Sequence, residues 1–170
     1  MKKTILSLVL SLIFIFSFAI PAFAATTADV TVTFTPEYIA ISDNQPSYGF
    51  GVVAASSTPN TATNWCTITN DSTVQTDITI AVTGNNWTGD NPIVHSDTAT
   101  PGEDTCGLLA NRGGTWGVSD VIVKYSSPNY IYENCPATTG FSYGLKLVAP
   151  TSYTHPSQVE NTVRITAAAG

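Results

Sequence analysis

The chain has few charged residues, and most of them are acidic. Charged residues make up 11% of the 170 residues, against roughly a quarter in average soluble proteins. Without the two lysines at its start, the chain has four basic residues and twelve acidic ones, a net charge of −8. A surface of this sign repels phosphate backbones and anionic lipid, so we expect no nucleic-acid partner.

Cysteine is scarce as well. The chain has three cysteines and no C-x-x-C pair, so we expect no zinc site. An exported protein with three cysteines can form one disulfide and keep one thiol. Cys106 and Cys135 each adjoin a turn residue, where the geometry can adjust, whereas Cys66 is in phase with Ile68 of a predicted strand. The sequence therefore favours a disulfide between Cys106 and Cys135, with three reduced thiols as the alternative.

The only long hydrophobic run of the sequence lies at its N-terminus. A short cationic start precedes an apolar run from Ile5 to Ile20, Pro21 ends the run, and Ala22-Phe23-Ala24 has the pattern of a cleavage site. The run is shorter than the ~20 apolar residues that a membrane-spanning helix needs. The sequence therefore predicts a helical signal peptide over residues 1–24 and one exported domain over 25–170. We expect the mature protein to be secreted or at the cell surface, with no membrane span.

Helical periodicity is missing from the rest of the sequence. Apolar and polar residues alternate instead, in short runs bounded by Gly, Pro, Asn and Asp, as in half-buried strands. Clear examples are Ile78-Thr-Ile80-Ala-Val82 and Phe141-Ser-Tyr143-Gly-Leu145. We expect an all-β fold of about eight or nine short strands, arranged as a two-sheet sandwich of the immunoglobulin-like or jelly-roll kind.

The sequence contains no convincing catalytic arrangement. Gly140-Phe-Ser142-Tyr-Gly144 matches the nucleophile motif G-x-S-x-G, but that motif needs a strand-to-helix turn, and here a strand pattern continues through it. No acidic residue lies between Ser142 and His155 to complete the usual order. His95 and His155 are not spaced as metal ligands, and we expect both on the surface. We therefore expect no enzyme, no cofactor and no metal site.

One acidic loop is a candidate for calcium binding. Asp97, Glu103 and Asp104 lie in a turn-rich stretch and could supply hard oxygen ligands. The stretch lacks the Asp-x-Asp-x-Asp-Gly spacing of calcium loops. A solvated acidic loop is therefore the favoured interpretation.

Aromatic residues are the remaining candidates for binding. Trp87, Trp116, Tyr125, Tyr130 and Tyr132 stand near Asn, Asp or Gly in turn-rich stretches. An exposed ring can cover the apolar face of a sugar while neighbouring amides bond its hydroxyls. Packing is the favoured interpretation of these rings, because sandwich cores commonly bury a tryptophan. A carbohydrate-binding module that uses these five residues is the alternative function.

The sequence also predicts a strand directly after the cleavage site. In the segment Ala28–Thr35, Val30, Val32 and Phe34 share one face and threonines the other. An exported, Thr-rich, Lys-poor sandwich that opens with such a strand resembles secreted surface and fibre-forming proteins of bacteria and archaea, such as the WxL-domain and camelysin-like groups. The resemblance implies a non-enzymatic structural protein. No Trp-x-Leu tripeptide occurs, so it implies no wall binding, and it assigns no role to any residue.

The first strand has two possible uses. It can complete its own sandwich, or it can be donated to the open sheet edge of a neighbouring copy. We expect donation, so that the protein is a subunit of an extracellular assembly or fibre. Self-association, or contact with a cell-surface polymer, is accordingly the expected kind of partnership.

Cleavage of the signal peptide is directly testable. We expect the protein recovered from the extracytoplasmic fraction to begin at Ala25, because Ala22-Phe23-Ala24 follows an apolar run of signal length. N-terminal sequencing or intact mass measurement checks this, and an intact Met1 would contradict it.

Overall fold

The computed structural model describes residues 31–155 and 157–170. The chain divides into two units, Met1–Thr35 and Pro36–Gly170. The predicted signal peptide and Val30 lie outside the described residues. Of the predicted first strand, residues 31–35 are described, and they have no strand assignment.

The unit that begins at Pro36 is all-β. Its described part has no helix, and hence no helix long and apolar enough to cross a membrane. This described part has eleven strands: β1 (Ile41–Asp43), β2 (Cys66–Asn70), β3 (Thr76–Val82), β4 (Asn86–Gly89), β5 (Ile93–His95), β6 (Thr105–Asn111), β7 (Asp120–Ile122), β8 (Asn129–Cys135), β9 (Gly140–Val148), β10 (Val159–Glu160) and β11 (Val163–Ala169). The all-β prediction is confirmed. The expected eight or nine strands were too few.

The strands form two sheets. Neighbouring strands of the larger sheet follow the order β1-β2-β9-β6-β5-β4-β10, with β7 also paired to β6, and the smaller sheet has the order β11-β3-β8. The pair β5–β6 is parallel and the other strand pairs are antiparallel. In the described chain, the smaller sheet therefore ends in β11 on one side and β8 on the other.

The two sheets share one hydrophobic core, as in a sandwich. Its buried residues come from β2, β6 and β9 of the larger sheet, from β3 and β8 of the smaller one, and from the residue that follows β7: Cys66, Ile68, Ile78, Ile80, Val82, Leu108, Ala110, Val123, Ile131, Cys135, Phe141, Tyr143 and Leu145. A second cluster contains Ile93, Cys106 and Leu147. The strict alternation of buried and half-buried residues in β3 confirms the period-two prediction for that segment.

Strand β9 departs from simple alternation at one glycine. Gly144 is buried between Tyr143 and Leu145 because the segment before β2 passes directly over it. A Cβ atom at this position would lie 2.3 Å from the carbonyl oxygen of Ala62. The same segment bonds to β9 through Thr61, whose Oγ1 accepts from the Leu145 amide at 2.9 Å. Gly144 is therefore required by close packing, not by a turn.

Asn70 is a buried polar tie between the two sheets. It ends β2, is fully buried, and its Nδ2 donates to the carbonyl oxygens of Cys135 and Pro136 at 3.0 Å each. Its Oδ1 accepts from the Ser72 amide at 3.1 Å. These bonds satisfy backbone groups at the ends of β2 and β8 that packing has removed from water.

Asn70→Asp tests this tie. The substitution keeps the shape but turns an oxygen toward two carbonyl oxygens, so we expect the free energy of unfolding to fall by about 3 kcal/mol. Urea unfolding followed by tryptophan fluorescence measures the change. Asn91→Asp, at an exposed position, is the matched control, and its effect should stay within ~0.5 kcal/mol. A loss below ~1 kcal/mol at Asn70 would show that the tie contributes little.

Candidate functional site

The structure does not gather the predicted aromatic residues into one platform. Within the described chain, none of the five rings forms an aromatic pair with another of the five. Tyr125 and Tyr130 are 48% and 53% exposed. Tyr132 is half-buried, with the Arg112 guanidinium 3.9 Å from its ring centroid and the Phe141 ring 5.2 Å away. Two of the five residues therefore offer a ring to solvent.

Trp87 has a packing role and a polar contact inside the domain. It lies on β4, is half-buried and packs against both core clusters. Its indole N–H donates to Nδ1 of His95 at 3.3 Å. Because its indole N–H is hydrogen-bonded and its ring packs on the core, Trp87 has a structural role in the domain.

His95 is buried, so the surface position expected for it was wrong. Its side chain is 0% exposed, and Nε2 lies 2.7 Å from the carbonyl oxygen of Val123. Because Nδ1 accepts from Trp87, these partners assign the neutral ring with the proton on Nε2. Strand β5 has only three residues, and an alternation that short gave no sign of the burial. His155 is exposed, as expected.

Asp97 fixes the loop that carries Tyr125. Its carboxylate accepts the amide N–H of Tyr125 at 2.5 Å and that of Ser126 at 3.0 Å, and it lies 3.9 Å from Nε2 of His95. Burial acts to raise the pKa of Asp97, but the hydrogen bonds from Ser126 and Tyr125 outweigh it, so the pKa is lowered. Asp97 thus serves as a loop anchor.

The acidic loop does not converge on one point. Asp104 accepts the amide and the hydroxyl of Thr154, which lowers its pKa, whereas Asp97 binds residues 125 and 126. Glu103 is exposed. Across residues 31–155 and 157–170, no group of three or more His, Cys, Asp or Glu residues is placed to hold a metal ion.

An aromatic cluster that sequence analysis missed lies beside β2 and β9. Tyr48 makes edge-to-face contacts with Phe50 and Trp65, both at 5.0 Å between centroids, and Trp65 contacts Tyr143 at 6.3 Å. Tyr48 is 43% exposed, whereas Tyr143 is buried, which raises its pKa. The spacing Tyr48-Gly-Phe50 was the only sequence signal for this cluster.

A second cluster missed from the sequence joins Lys146, Asp120 and Asn111 on three adjacent strands. Lys146 Nζ donates to Oδ2 of Asp120, whose Oδ1 accepts from Asn111 Nδ2 at 2.8 Å and from the Gly117 amide at 3.0 Å. Asn111 is fully buried, and the side chains of Lys146 and Asp120 are 17% and 12% exposed. Burial acts to raise the pKa of Asp120, but the bonds from Lys146 and Asn111 outweigh it, so the pKa is lowered.

The loop between β6 and β7 covers this cluster. Asn111 Oδ1 accepts from the Gly114 amide at 2.8 Å, and Asn111 Nδ2 also donates to the Thr115 carbonyl at 3.1 Å. A Cβ at position 114 would lie 3.1 Å from Asn111 Oδ1, so glycine permits this approach. The Trp116 ring centroid lies 5.0 Å from Lys146 Nζ. Trp116 is half-buried, and its ring makes a cation–π contact with Lys146.

Ser142, the serine of the G-x-S-x-G match, lies within β9, near its beginning. Strand β9 continues from Gly140 to Val148, which confirms that a strand runs straight through the motif. The Ser142 hydroxyl lies 3.1 Å from Oγ1 of Thr67, its partner on β2. This serine has a cross-strand partner and lacks the exposed turn of a nucleophile.

All three cysteines are buried free thiols in the structure, so the predicted disulfide between Cys106 and Cys135 is not formed. The reason lies in the packing: Cys106 belongs to the second core cluster and Cys135 to the first. Burial raises the pKa of Cys66, Cys106 and Cys135, that of Cys106 to about 12.

No protein-family model matches this chain, and neither a curated protein nor a solved structure matches it. Its function is therefore inferred from its own residues.

Thiol titration tests the state of the cysteines. In the native protein at pH 8 we expect almost no reaction with Ellman's reagent, because the thiolate is the reactive form and burial disfavours it. In guanidinium chloride we expect all three thiols to react. A single reactive thiol after unfolding would show that two cysteines are joined in a disulfide.

Proposed function

We propose that this is an exported, non-enzymatic structural protein, located at the cell surface or in an extracellular assembly, whose N-terminal segment is donated as a strand to a neighbouring copy. The observation that carries the proposal is the exposure of Val32 and Phe34, which is 83% and 86%. Two large apolar side chains at alternate positions are suited to burial by a partner surface.

The energetic reason for donation is the apolar face of this segment. Covering Val32 and Phe34 should contribute roughly 3–6 kcal/mol, comparable with the net stability of a small domain. Val30 shares their phase in the sequence and would add to the same face. Thr31 and Thr33 occupy the opposite phase, and threonine suits a strand that is half exposed to water.

Strand β11 is the best acceptor edge that the structure offers. It ends the smaller sheet, is seven residues long and pairs with β3 over its whole length without a bulge. Its Val163, Ile165 and Ala167 already pack on the shared core. The edges β1 and β10 have three and two residues, and the pairing of β8 with β3 contains register shifts. Short and bulged edges resist strand addition.

A donated strand gives a head-to-tail contact. The donor lies before Pro36 and the acceptor near the C-terminus, so each copy would present two different surfaces. Contacts of this kind propagate into filaments unless the rotation between copies closes a ring. We also propose that the two sheets form a sandwich of the immunoglobulin-like or jelly-roll kind, which the shared core and the largely antiparallel pairing support.

The non-enzymatic part of the proposal is supported by the candidate nucleophile and base. In the described chain, His95 is sealed between Trp87 and the Val123 carbonyl, and Ser142 is bonded to Thr67. A nucleophile and a base that act together need mutual contact and access to substrate. These two residues have other partners instead.

A paired substitution tests donation. We expect the mature protein to form concentration-dependent oligomers or filaments, and Val32→Asp with Phe34→Asp to leave a folded monomer, because burying two charges on the apolar face is costly. Thr31→Asp with Thr33→Asp adds the same charge to the other face and should still assemble. Size-exclusion chromatography with light scattering and electron microscopy measure the outcome.

Deleting residues 25–35 separates the two uses of the segment. A soluble, folded monomer that no longer assembles would support donation, whereas a misfolded product would assign the strand to its own core. If the mature protein itself stays monomeric at every concentration, the assembly proposal fails.

Carbohydrate binding is the second candidate function, favoured by the exposed rings of Tyr125, Tyr130 and Tyr48. A monomer that is retained by an insoluble polysaccharide would support it. Retention should then fall when Tyr125 and Tyr130 are replaced by alanine, because each ring offers a stacking surface. Trp87 and Trp116, whose rings are engaged within the domain, are weaker candidates than the sequence suggested.

A further inference from the structure

We propose that Lys146 and Asn111 become joined by an intramolecular amide bond between their side chains. In this reaction Asp120 accepts a proton from Lys146 and passes a proton to the leaving nitrogen of Asn111. Such a bond is a covalent modification of the folded chain. The proposal rests on the cluster described above and does not depend on the proposed assembly.

The register of three strands brings the groups onto one face of the larger sheet. Strand β6 pairs with β9 so that Leu109 faces Lys146, and it pairs with β7 so that Asn111 faces Asp120. Asn111 is two residues along β6 from Leu109 and therefore lies diagonally across from Lys146. Diagonal neighbours are about 7–8 Å apart at the backbone, within reach of a lysine side chain. Both Lys146 and Asn111 contact the same carboxylate.

Each group has the chemical property that the reaction needs. Lys146 has an amine that becomes nucleophilic when it loses a proton, and Asp120 is the base that it touches. Asn111 has a neutral acyl carbon, whose Oδ1 already accepts the Gly114 amide at 2.8 Å. That N–H is positioned to stabilise the negative charge that develops on this oxygen in a tetrahedral intermediate. The leaving nitrogen of Asn111 bonds to Asp120.

The step balances without an outside reagent. Asp120 takes a proton from the Lys146 ammonium, and the free amine attacks the Asn111 Cγ to form the new C–N bond. The C–Nδ2 bond then breaks as Asp120 returns a proton to Nδ2, and the nitrogen leaves as ammonia. A proton from the attacking amine ends on this ammonia as ammonium, and Asp120 ends as a carboxylate. No electrons are transferred.

Burial works toward this proton transfer, whereas the bonds that Asp120 accepts lower its pKa and oppose it. Asn111 is fully buried, the side chains of the charged pair are less than one-fifth exposed, and the Trp116 ring covers Lys146. Removing water from an ion pair reduces the advantage of the charged form over the neutral one. Lys146 lies 26 residues from Asp120 along the chain, so the three groups meet only after the chain has folded.

Asp120 is a competing acyl group but a poorer one. Its carboxylate accepts bonds from Lys146, Asn111 and the Gly117 amide, and these bonds stabilise the ionised form. An ionised carboxylate resists attack by an amine because it carries no suitable leaving group. Condensation at Asp120 would release water, so the mass of the product distinguishes the two routes.

Intact mass spectrometry of the mature protein tests the proposal. We expect a mass about 17 Da below that calculated from the observed N-terminus and sequence, because one ammonia is lost. A tryptic digest should contain one branched peptide in which Asn111 is joined to Lys146, with no cleavage after Lys146. A protein of full mass, or one about 18 Da lighter through loss of water, would overturn the proposal. So would a deficit without the branched peptide, because a succinimide loses the same ammonia.

Three variants complete the test. Lys146→Arg keeps the ion pair with Asp120 but lacks the nucleophilic amine, so it should have full mass. Asp120→Asn should also have full mass, because the proton carrier is gone. Lys124→Arg, on a lysine outside the cluster, should keep the deficit. Circular dichroism reports whether each variant is folded, and a folded Asp120→Asn protein that keeps the branched peptide would refute the role of Asp120.

Discussion

The structure depends on strand β9, which is paired on both sides. It bonds to β2 near its beginning and to β6 along its second half, so its side chains are fixed in register with two neighbours. Phe141, Tyr143 and Leu145 enter the shared core and Leu147 enters the second cluster. The residues between them face the other way, and one of them is Lys146. The alternation that builds the core therefore also positions the amine of the cluster with Asp120 and Asn111.

The sequence predicted the parts of the fold in which alternation runs long enough. Segments β3 and β9 have seven and nine residues, and their apolar positions were identified correctly. Strands β5 and β10 have three and two residues, too few for a period to be recognised, and the burial of His95 was missed for that reason. A disulfide between Cys106 and Cys135 was predicted from turn residues, but which core cluster holds each cysteine depends on the packing of whole sheets.

The polar clusters were harder to predict because they are long-range. Asn70 bonds to Cys135 and Pro136, which lie 65 and 66 positions further along the chain. Lys146 and Asp120 are separated by 26 positions. Neither spacing forms a motif, since each contact exists only in one strand register. Composition, by contrast, bears on function class regardless of fold, because we expect a chain with a formal net charge of −6 to repel phosphate-rich partners.

The proposed modification and the proposed assembly are complementary in a mechanical sense. In a chain of copies joined by strand donation, tension enters a copy near Pro36 and leaves through the strand paired to β11, close to the C-terminus. The segment from Asn111 to Lys146 lies between these points in the sequence, and it includes β7 and β8. A covalent bond between its ends would prevent that segment from extending under load, even if the hydrogen bonds between β6 and β9 were broken. A protein with three buried free thiols and no disulfide would obtain a cross-link in this way from amide chemistry, which reducing agents do not reverse.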